Sequence, residues 1–187
     1  MPRRIRYNAA TSLDGFIAPP DESTDWIVED AGGVDFVKLY EEFDTFIMGR
    51  KTYETMFAMG DQNLLRDRSK HSIVVISRHL DPADHPDVTV MRDGYIQHLK
   101  ELKGTDGRDI WVMGGGWLAT ACLDAGLLDT VEVAIMPVAL CEGFKLFTRG
   151  GGSRAFKLAL RGSEQLPQSG IIMTRYDVVY EEANRHD

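Results

Sequence analysis

The sequence predicts an α/β protein: a central mixed, mostly parallel sheet with helices on both faces, ending in an antiparallel hairpin. Three observations carry this. Short β-branched runs alternate with stretches of helical spacing through most of the chain, the pattern of parallel strands joined by crossover helices. Ser72-Ile-Val-Val-Ile-Ser77 is apolar without alternation, as a strand buried on both faces must be. After about residue 150 the helical signal stops, and Phe156 to Leu160 and Ile171 to Tyr180 read as two strands joined through Pro167-Gln-Ser-Gly170. A length of 187 residues suits one domain, taken as 1–187.

In order, Arg4 to Ala10 is the first strand, with Ile5 and Tyr7 on one side. Thr11-Ser-Leu-Asp-Gly15 is a turn, and Phe16-Ile17-Ala18 resumes an apolar stretch that Pro19-Pro20 ends. A helix is expected over Val34 to Phe43, a buried strand over Thr45 to Met48, and a helix from about Arg50 to Met59. Gly60 to Lys70 reads as an exposed loop. Val88 to Met91 is a strand and Tyr95 to Leu102 a helix. Ile110 to Met113 is the strand that meets three glycines, after which Leu118, Ala121, Cys122 and Ala125 mark another helix. Thr130 to Pro137 is a long β pattern.

Two stretches have the form strand, glycine, helix start. In Met113-Gly114-Gly115-Gly116-Trp117-Leu118 the glycines allow close backbone approach and positive φ. The helix beyond them aims unpaired N–H groups and a positive dipole end at whatever lies above, which suits a phosphate or diphosphate. A plain tight turn fits equally well. In Gly49-Arg50-Lys51-Thr52 two cations occupy a first helical turn, where the dipole disfavours each by roughly 0.3–1 kcal/mol. A local rule broken twice points to a bound anion; side chains extended into water are the plainer reading. Ser77-Arg78, at the carboxyl end of a buried strand, is placed where ligands of open α/β sheets gather, and a basic residue there suits a ribose 2′-phosphate.

The net charge of −8 argues against nucleic acid or an acidic membrane surface as partner. Cys122 and Cys141 form no disulfide framework and no zinc pattern, so a reducing cytoplasm is expected. No run approaches membrane-spanning length. His71, His79, His85, His98 and His186 show no paired-ligand spacing, so no metal is expected, and no nucleophile elbow or Walker lysine is present.

Ser12-Leu-Asp-Gly-Phe-Ile-Ala18, Met48-Gly-Arg-Lys-Thr-Tyr-Glu54, Val75-Ile-Ser-Arg78 and Met113-Gly-Gly-Gly-Trp117, in this order, resemble the dihydrofolate reductase-like superfamily. The branch most similar is the reductase domain of bacterial riboflavin biosynthesis and its stand-alone relatives; Leu128 to Val138 and Leu146-Phe147 continue the resemblance. It implies a three-layer fold and an NADPH-dependent reductase. By it, Gly114, Gly115 and Gly116, flanked by Met113, Trp117 and Leu118, cradle the diphosphate. Gly49, Arg50, Lys51 and Thr52 hold the adenosine side, with Ser77 and Arg78 on the 2′-phosphate. Ala10 and Ile17 line the nicotinamide pocket, beside the turn whose Asp14 is a candidate substrate-binding residue. Trp26 lies near the substrate mouth, and Asp35 is the candidate catalytic and substrate-binding acid, facing the pocket.

The expected reaction is hydride transfer from nicotinamide C4 to a pterin-like or pyrimidine-like heterocycle. The alternatives are 5-amino-6-(5-phosphoribosylamino)uracil reduction and a non-catalytic NADP-binding module. Asp21, Glu22, Asp25, Glu29 and Asp30 make the mouth acidic, which argues against a phosphorylated substrate. Cys141 stands where relatives usually carry glycine, so that loop is expected to be reshaped. The terminal hairpin offers an edge for a homodimer.

Overall fold

In the computed structural model, residues 2–28, 34–148 and 155–180 are described. Alternation along β1 (Ile5–Ser12) decides the layers: Ile5 and Tyr7 are fully buried on one face, while Arg6 points to the other. The remaining elements are β2 (Phe16–Ala18), α1 (Phe36–Glu41), β3 (Phe43–Gly49), α2 (Arg50–Ala58), β4 (Ile73–Ile76), β5 (Thr89–Met91), α3 (Tyr95–Lys103), β6 (Asp109–Gly114), α4 (Gly116–Asp124), β7 (Thr130–Met136), β8 (Phe144–Lys145), β9 (Lys157–Gln165) and β10 (Ile172–Val179).

Eight strands form one sheet in the order β5-β4-β3-β6-β1-β7-β10-β9, while β2 and β8 pair separately. All contacts from β5 to β7 are parallel, and β10 runs antiparallel to both β7 and β9. The mixed sheet and its terminal hairpin are therefore as expected. On one face Leu99 of α3 and Leu118, Ala119, Cys122 and Leu123 of α4 pack against Ile5, Tyr7, Ile47 and Val112. On the other, Tyr40 of α1 and Tyr53 of α2 cover Phe43, Phe46, Met48 and Trp111.

Three elements differ from the sequence reading. The first helix is only six residues long, because Phe43, expected on it, is fully buried at the start of β3. The polar stretch 60–70 is no plain exposed loop: Leu65, 2% exposed, plugs the core beside Val75, and Arg68 donates to the carbonyls of Tyr40 and Phe43. The strands β2 and β8, three and two residues long, gave no pattern to read.

Beneath the second face, Arg6 is buried with its charge fully engaged. Its Nε and Nη2 donate to the two oxygens of Glu132 at 2.7 Å each, and Nη1 donates to Glu42 at 2.6 Å and Asp109 at 3.2 Å. The guanidinium also lies 4.4 Å from the Phe43 ring centroid. Burial alone would lower its pKa, but Glu132 and Glu42 outweigh it and raise the pKa well above the usual arginine value. Removing one partner of such a pair leaves an uncompensated buried charge. Glu132→Ala is expected to destabilise the fold by about 3 kcal/mol, the low end for buried pairs because Glu42 and Asp109 remain. Urea denaturation with an unchanged m-value checks this.

Candidate functional site

The carboxyl ends of β3 and β6 are neighbours, and each runs straight into a glycine turn and a helix. The two turns touch. A Cβ on Gly49 would lie 3.8 Å from the Gly114 carbonyl oxygen and 3.9 Å from the Gly115 nitrogen, and one on Gly114 would lie 3.4 Å from Thr52 Oγ1. Gly114 has φ +137°, which excludes most side chains, and the Gly114–Gly115 peptide is cis. Neither helix has a side-chain cap on its N-cap glycine, Gly49 or Gly115, and neither has an acid in its first turn. Two helix N-termini thus present open N–H groups and positive dipole ends on one side of the sheet.

Both turns open onto one cleft of about 710 Å³. Ala10, Ile17, Gly49, Arg50, Lys51, Thr52, Met113, Gly114, Gly115, Gly116, Trp117 and Leu118 all line it, so the structure brings together most of the expected cofactor residues. Ile17 lies over Gly115, its Cδ1 3.8 Å from where a Cβ would stand. Leu118 is nonetheless mainly a core residue, 1% exposed, while Trp117 is exposed beside Tyr95, ring centroids 5.6 Å apart. The segment after β8 closes this end. Tyr7 Oη donates to Leu146 O, Thr120 Oγ1 to Thr148 O, and a Cβ on Gly116 would strike Lys145 O at 2.2 Å.

The cations at the α2 start are not bare. Arg50 binds Glu54 one turn on, at 2.8 and 2.9 Å. Lys51 pairs with Glu22 and sits 4.4 Å from the Phe144 ring centroid. The two broken helix rules therefore have protein partners, although both residues still face the cleft.

Five expected site residues are elsewhere. Ser77 is buried with its Oγ accepting from the His79 and Leu80 N–H groups, and Arg78 pairs with Asp93 at 3.0 Å in solvent; both lie just past Ile76, the last residue of β4 on the cleft wall. Asp35 does not face the pocket. It is exposed and caps α1, accepting from Lys38 N at 3.0 Å, as a carboxylate at a short helix start will. Asp14 joins two loops instead of lining the cleft: it accepts from Ser12 Oγ at 2.6 Å, Cys141 N at 2.7 Å and Leu140 N at 3.1 Å.

That clamp includes Cys141, which takes φ +66° with its N–H bonded to the Asp14 carboxylate. Trp26 does not line the cleft; it packs against the buried cluster of Met136, Leu166 and Ile171. Its Nε1 is buried without a hydrogen-bond partner among the described residues. Glu29, Asp30 and His186 lie outside the described residues.

The far end of the cleft is apolar. Its floor is Ala10, Trp111, Met113, Ala134, Met136 and Met173 with Asn8 among them, and α1 contributes Phe36, Leu39 and Tyr40. Burial pushes the Tyr40 hydroxyl up to about 12, against the opposing effect of Arg68. Asn8, Tyr40, Trp111, Glu22 and Phe144 were missed in the sequence. Asn8 had a signal, a polar residue on the Ala10 face of β1 by period two; Glu22 opposite Lys51 had none.

The sequence matches the family model described as RibD C-terminal domain over residues 3–172. The chain belongs to that family, within the dihydrofolate reductase-like superfamily. It is 32% identical over 153 residues to the uncharacterized protein YyaP of Bacillus subtilis, covering 78% of this chain and 80% of YyaP. It is 30% identical over 171 residues to YwjB of the same organism, covering 90% and 95%. Riboflavin biosynthesis protein RibD of Corynebacterium ammoniagenes is 28% identical over 153 residues, and the match spans 76% of this chain and 45% of RibD. Among solved structures, a Shewanella sp. PV-4 protein superposes with TM-score 0.76 at 23% identity, covering 95% of this chain and 99% of that one. Acinetobacter baumannii RibD gives 0.68 at 16%, covering 95% and 58%. Both share the fold of this RibD-family domain.

Three donors, the Ser12 hydroxyl first, hold the Asp14 carboxyl down to about 2 from its ordinary 3.8. A depressed carboxylate contributes stability that is present above its unfolded pKa and lost as pH falls through the folded one. The melting-temperature difference between wild type and Asp14→Asn is therefore expected to be constant above pH 5 and to close between about pH 4 and 2. Thermal scans across that range check it.

Proposed function

We propose that this RibD-family domain is an NADPH-dependent reductase of a pterin-like or pyrimidine-like small molecule. The observation that carries the reading is the meeting of two uncapped helix N-termini across glycine turns at one end of a cleft whose other end is apolar. The residues present fit the cofactor: no Cβ at Gly49, Gly114 or Gly115 fills the turn, and open N–H groups suit a diphosphate. Gly114, Gly115 and Gly116 would hold that group, Gly49, Arg50, Lys51 and Thr52 the adenosine side, and Ala10 and Ile17 the nicotinamide. When bound, NADPH supplies the hydride from nicotinamide C4. The protein aligns two rings and excludes water, a task for apolar walls more than for acids and bases.

Reduction of 5-amino-6-(5-phosphoribosylamino)uracil is disfavoured because the lining cations, Arg50, Lys51 and Lys145, all stand at the glycine end. A non-catalytic NADP-binding module would not require the apolar chamber beyond it. The outer strand β9 presents an exposed edge, which suits a homodimer. Among the described residues no helix is long and apolar enough to cross a membrane.

Oxidation of NADPH followed at 340 nm, with candidate pterins and aminouracils, tests the reaction. Gly115 has φ −87°, and an added Cβ meets only Ile17, at 3.8 Å. Gly115→Ala is thus expected to leave the melting temperature within a few degrees while weakening NADPH binding; a large stability loss with intact binding would favour a plain structural turn.

Arg78 is held only by an exposed pair with Asp93, worth at most about 1 kcal/mol. It is therefore free to exchange that partner for a 2′-phosphate, with a charge-assisted bond of about 1.5–3 kcal/mol. NADPH is expected to bind tenfold or more tighter than NADH, and Arg78→Ala to remove most of that preference. Equal affinity of the wild type for the two nucleotides would sink the phosphate assignment.

A further inference from the structure

Asn8 is the one polar side chain that the eight-stranded sheet places on the apolar floor of the cleft, among the described residues. Its orientation is set by its neighbour on β7. Asn8 faces Glu132 across the β1–β7 pair, and its Nδ2 lies 3.5 Å from Glu132 Oε2. Both Glu132 oxygens are already gripped by Arg6, and Glu132 is only 11% exposed. A carboxylate only accepts hydrogen bonds, so it draws the amide N–H side toward itself and turns Oδ1 the other way. Asn8 is half-buried and is among the residues lining the cleft. The backbone is pinned as well: Trp111 Nε1 donates to the Asn8 carbonyl at 3.0 Å.

The second observation is where positive charge stands. Among the described residues the cations lining the cleft are Arg50, Lys51 and Lys145, all beside the glycine turns. Arg50 and Lys51 have acidic partners, and the Lys145 ammonium lies 4.8 Å from the Phe16 ring centroid. Arg6, beside the floor on the same face of the sheet, is spent on three carboxylates. Around Asn8 a ligand meets Trp111, Tyr40, Met136 and Met173, none of which can neutralise a phosphate.

Resting on the reductase reading above, we infer that the substrate is an uncharged, phosphate-free planar heterocycle whose ring N–H is read by Asn8 Oδ1. An acceptor preset in an apolar chamber rejects a ligand that leaves it unpaired, because desolvation is then uncompensated. Asn8 is thus a specificity-determining residue, and the Arg6–Glu132 pair fixes which side of its amide the ligand meets.

The test uses the whole protein saturated with NADPH, with binding read by quenching of tryptophan fluorescence. The probes are pteridine-2,4-dione, its ring-N-methylated derivative, and an aminouracil carrying ribose 5-phosphate. Wild type is expected to bind the N–H form about tenfold or more tighter than the methylated form, and tighter than the phosphorylated aminouracil. Asn8→Leu and Asn8→Ser are both expected to collapse the N–H against N-methyl difference to less than threefold, with NADPH affinity and melting temperature close to wild type. Two variants of different size guard against a packing defect in either. Undiminished discrimination in both variants overturns the role of Asn8. Preferred binding of the phosphorylated probe overturns the substrate class, and so does NADPH binding with no affinity for either pteridine. Failure of the wild type to bind NADPH at all is a different result, which removes the reductase reading itself.

Discussion

The contact between the two glycine turns is the constraint on which the rest of the molecule depends. Adjacent parallel strands lie about 4.8 Å apart, so two helices leaving neighbouring carboxyl ends would ordinarily crowd each other with first-turn side chains. Gly114, at a φ of +137° that few side chains adopt, lets β6 turn into its helix there, and the two turns lie so close that a Cβ on Gly49 would already be in contact with the Gly114 oxygen, 3.8 Å away. The helices then diverge to opposite faces, α2 onto the Phe46 and Met48 side and α4 onto the Ile5 and Tyr7 side. One local condition thereby produces both the three-layer arrangement and a cleft with two positive dipole ends on its rim.

The other end of the cleft is shaped by charge that never reaches it. Arg6 and its three carboxylates stand beside the floor on the same face of the sheet, tying together β1, β7, the start of β6 and the residue after α1. An ion cluster of this kind adds little net stability over an apolar replacement, since desolvation offsets most of the attraction. What it provides is direction. Glu132 aligns Asn8, and Glu42 and Asp109 tie the end of α1 and the start of β6 to the same guanidinium. The floor is apolar where a ring would lie and polar at a single fixed atom.

Much of this was legible from local pattern, and the exceptions share a cause. Continuous β-branched runs gave β4, and strand–glycine–helix junctions gave both turns, because each signal lies within one stretch of chain. Asp35 was misplaced: a carboxylate at a helix start has a local use as a cap, and nothing in one sequence separates that use from a ligand contact. Asp14 was placed in the right loop with the wrong task, since its partners Leu140 and Cys141 are more than a hundred residues away. The pairing of Lys51 with Glu22, and of Asn8 with Glu132, likewise depends on which strands become neighbours.

Two cations in the first turn of α2 cost the helix a little, and the fold answers part of that cost with Glu54 and Glu22. Both pairs are substantially exposed, however, and pairs of that kind contribute roughly 0–1 kcal/mol. A phosphate held by backbone N–H groups at the same helix end, with a charge-assisted bond from either side chain, competes on favourable terms. The carboxylates therefore act as replaceable partners that keep Arg50 and Lys51 at the cleft edge. Glu22 carries the longer consequence, since it stands on the loop after β2 and its bond to Lys51 draws that loop toward α2. The same loop leads on to Ile27 and Val28, which line the chamber, so one ion pair between the loop and α2 joins the glycine end of the cleft to its apolar wall.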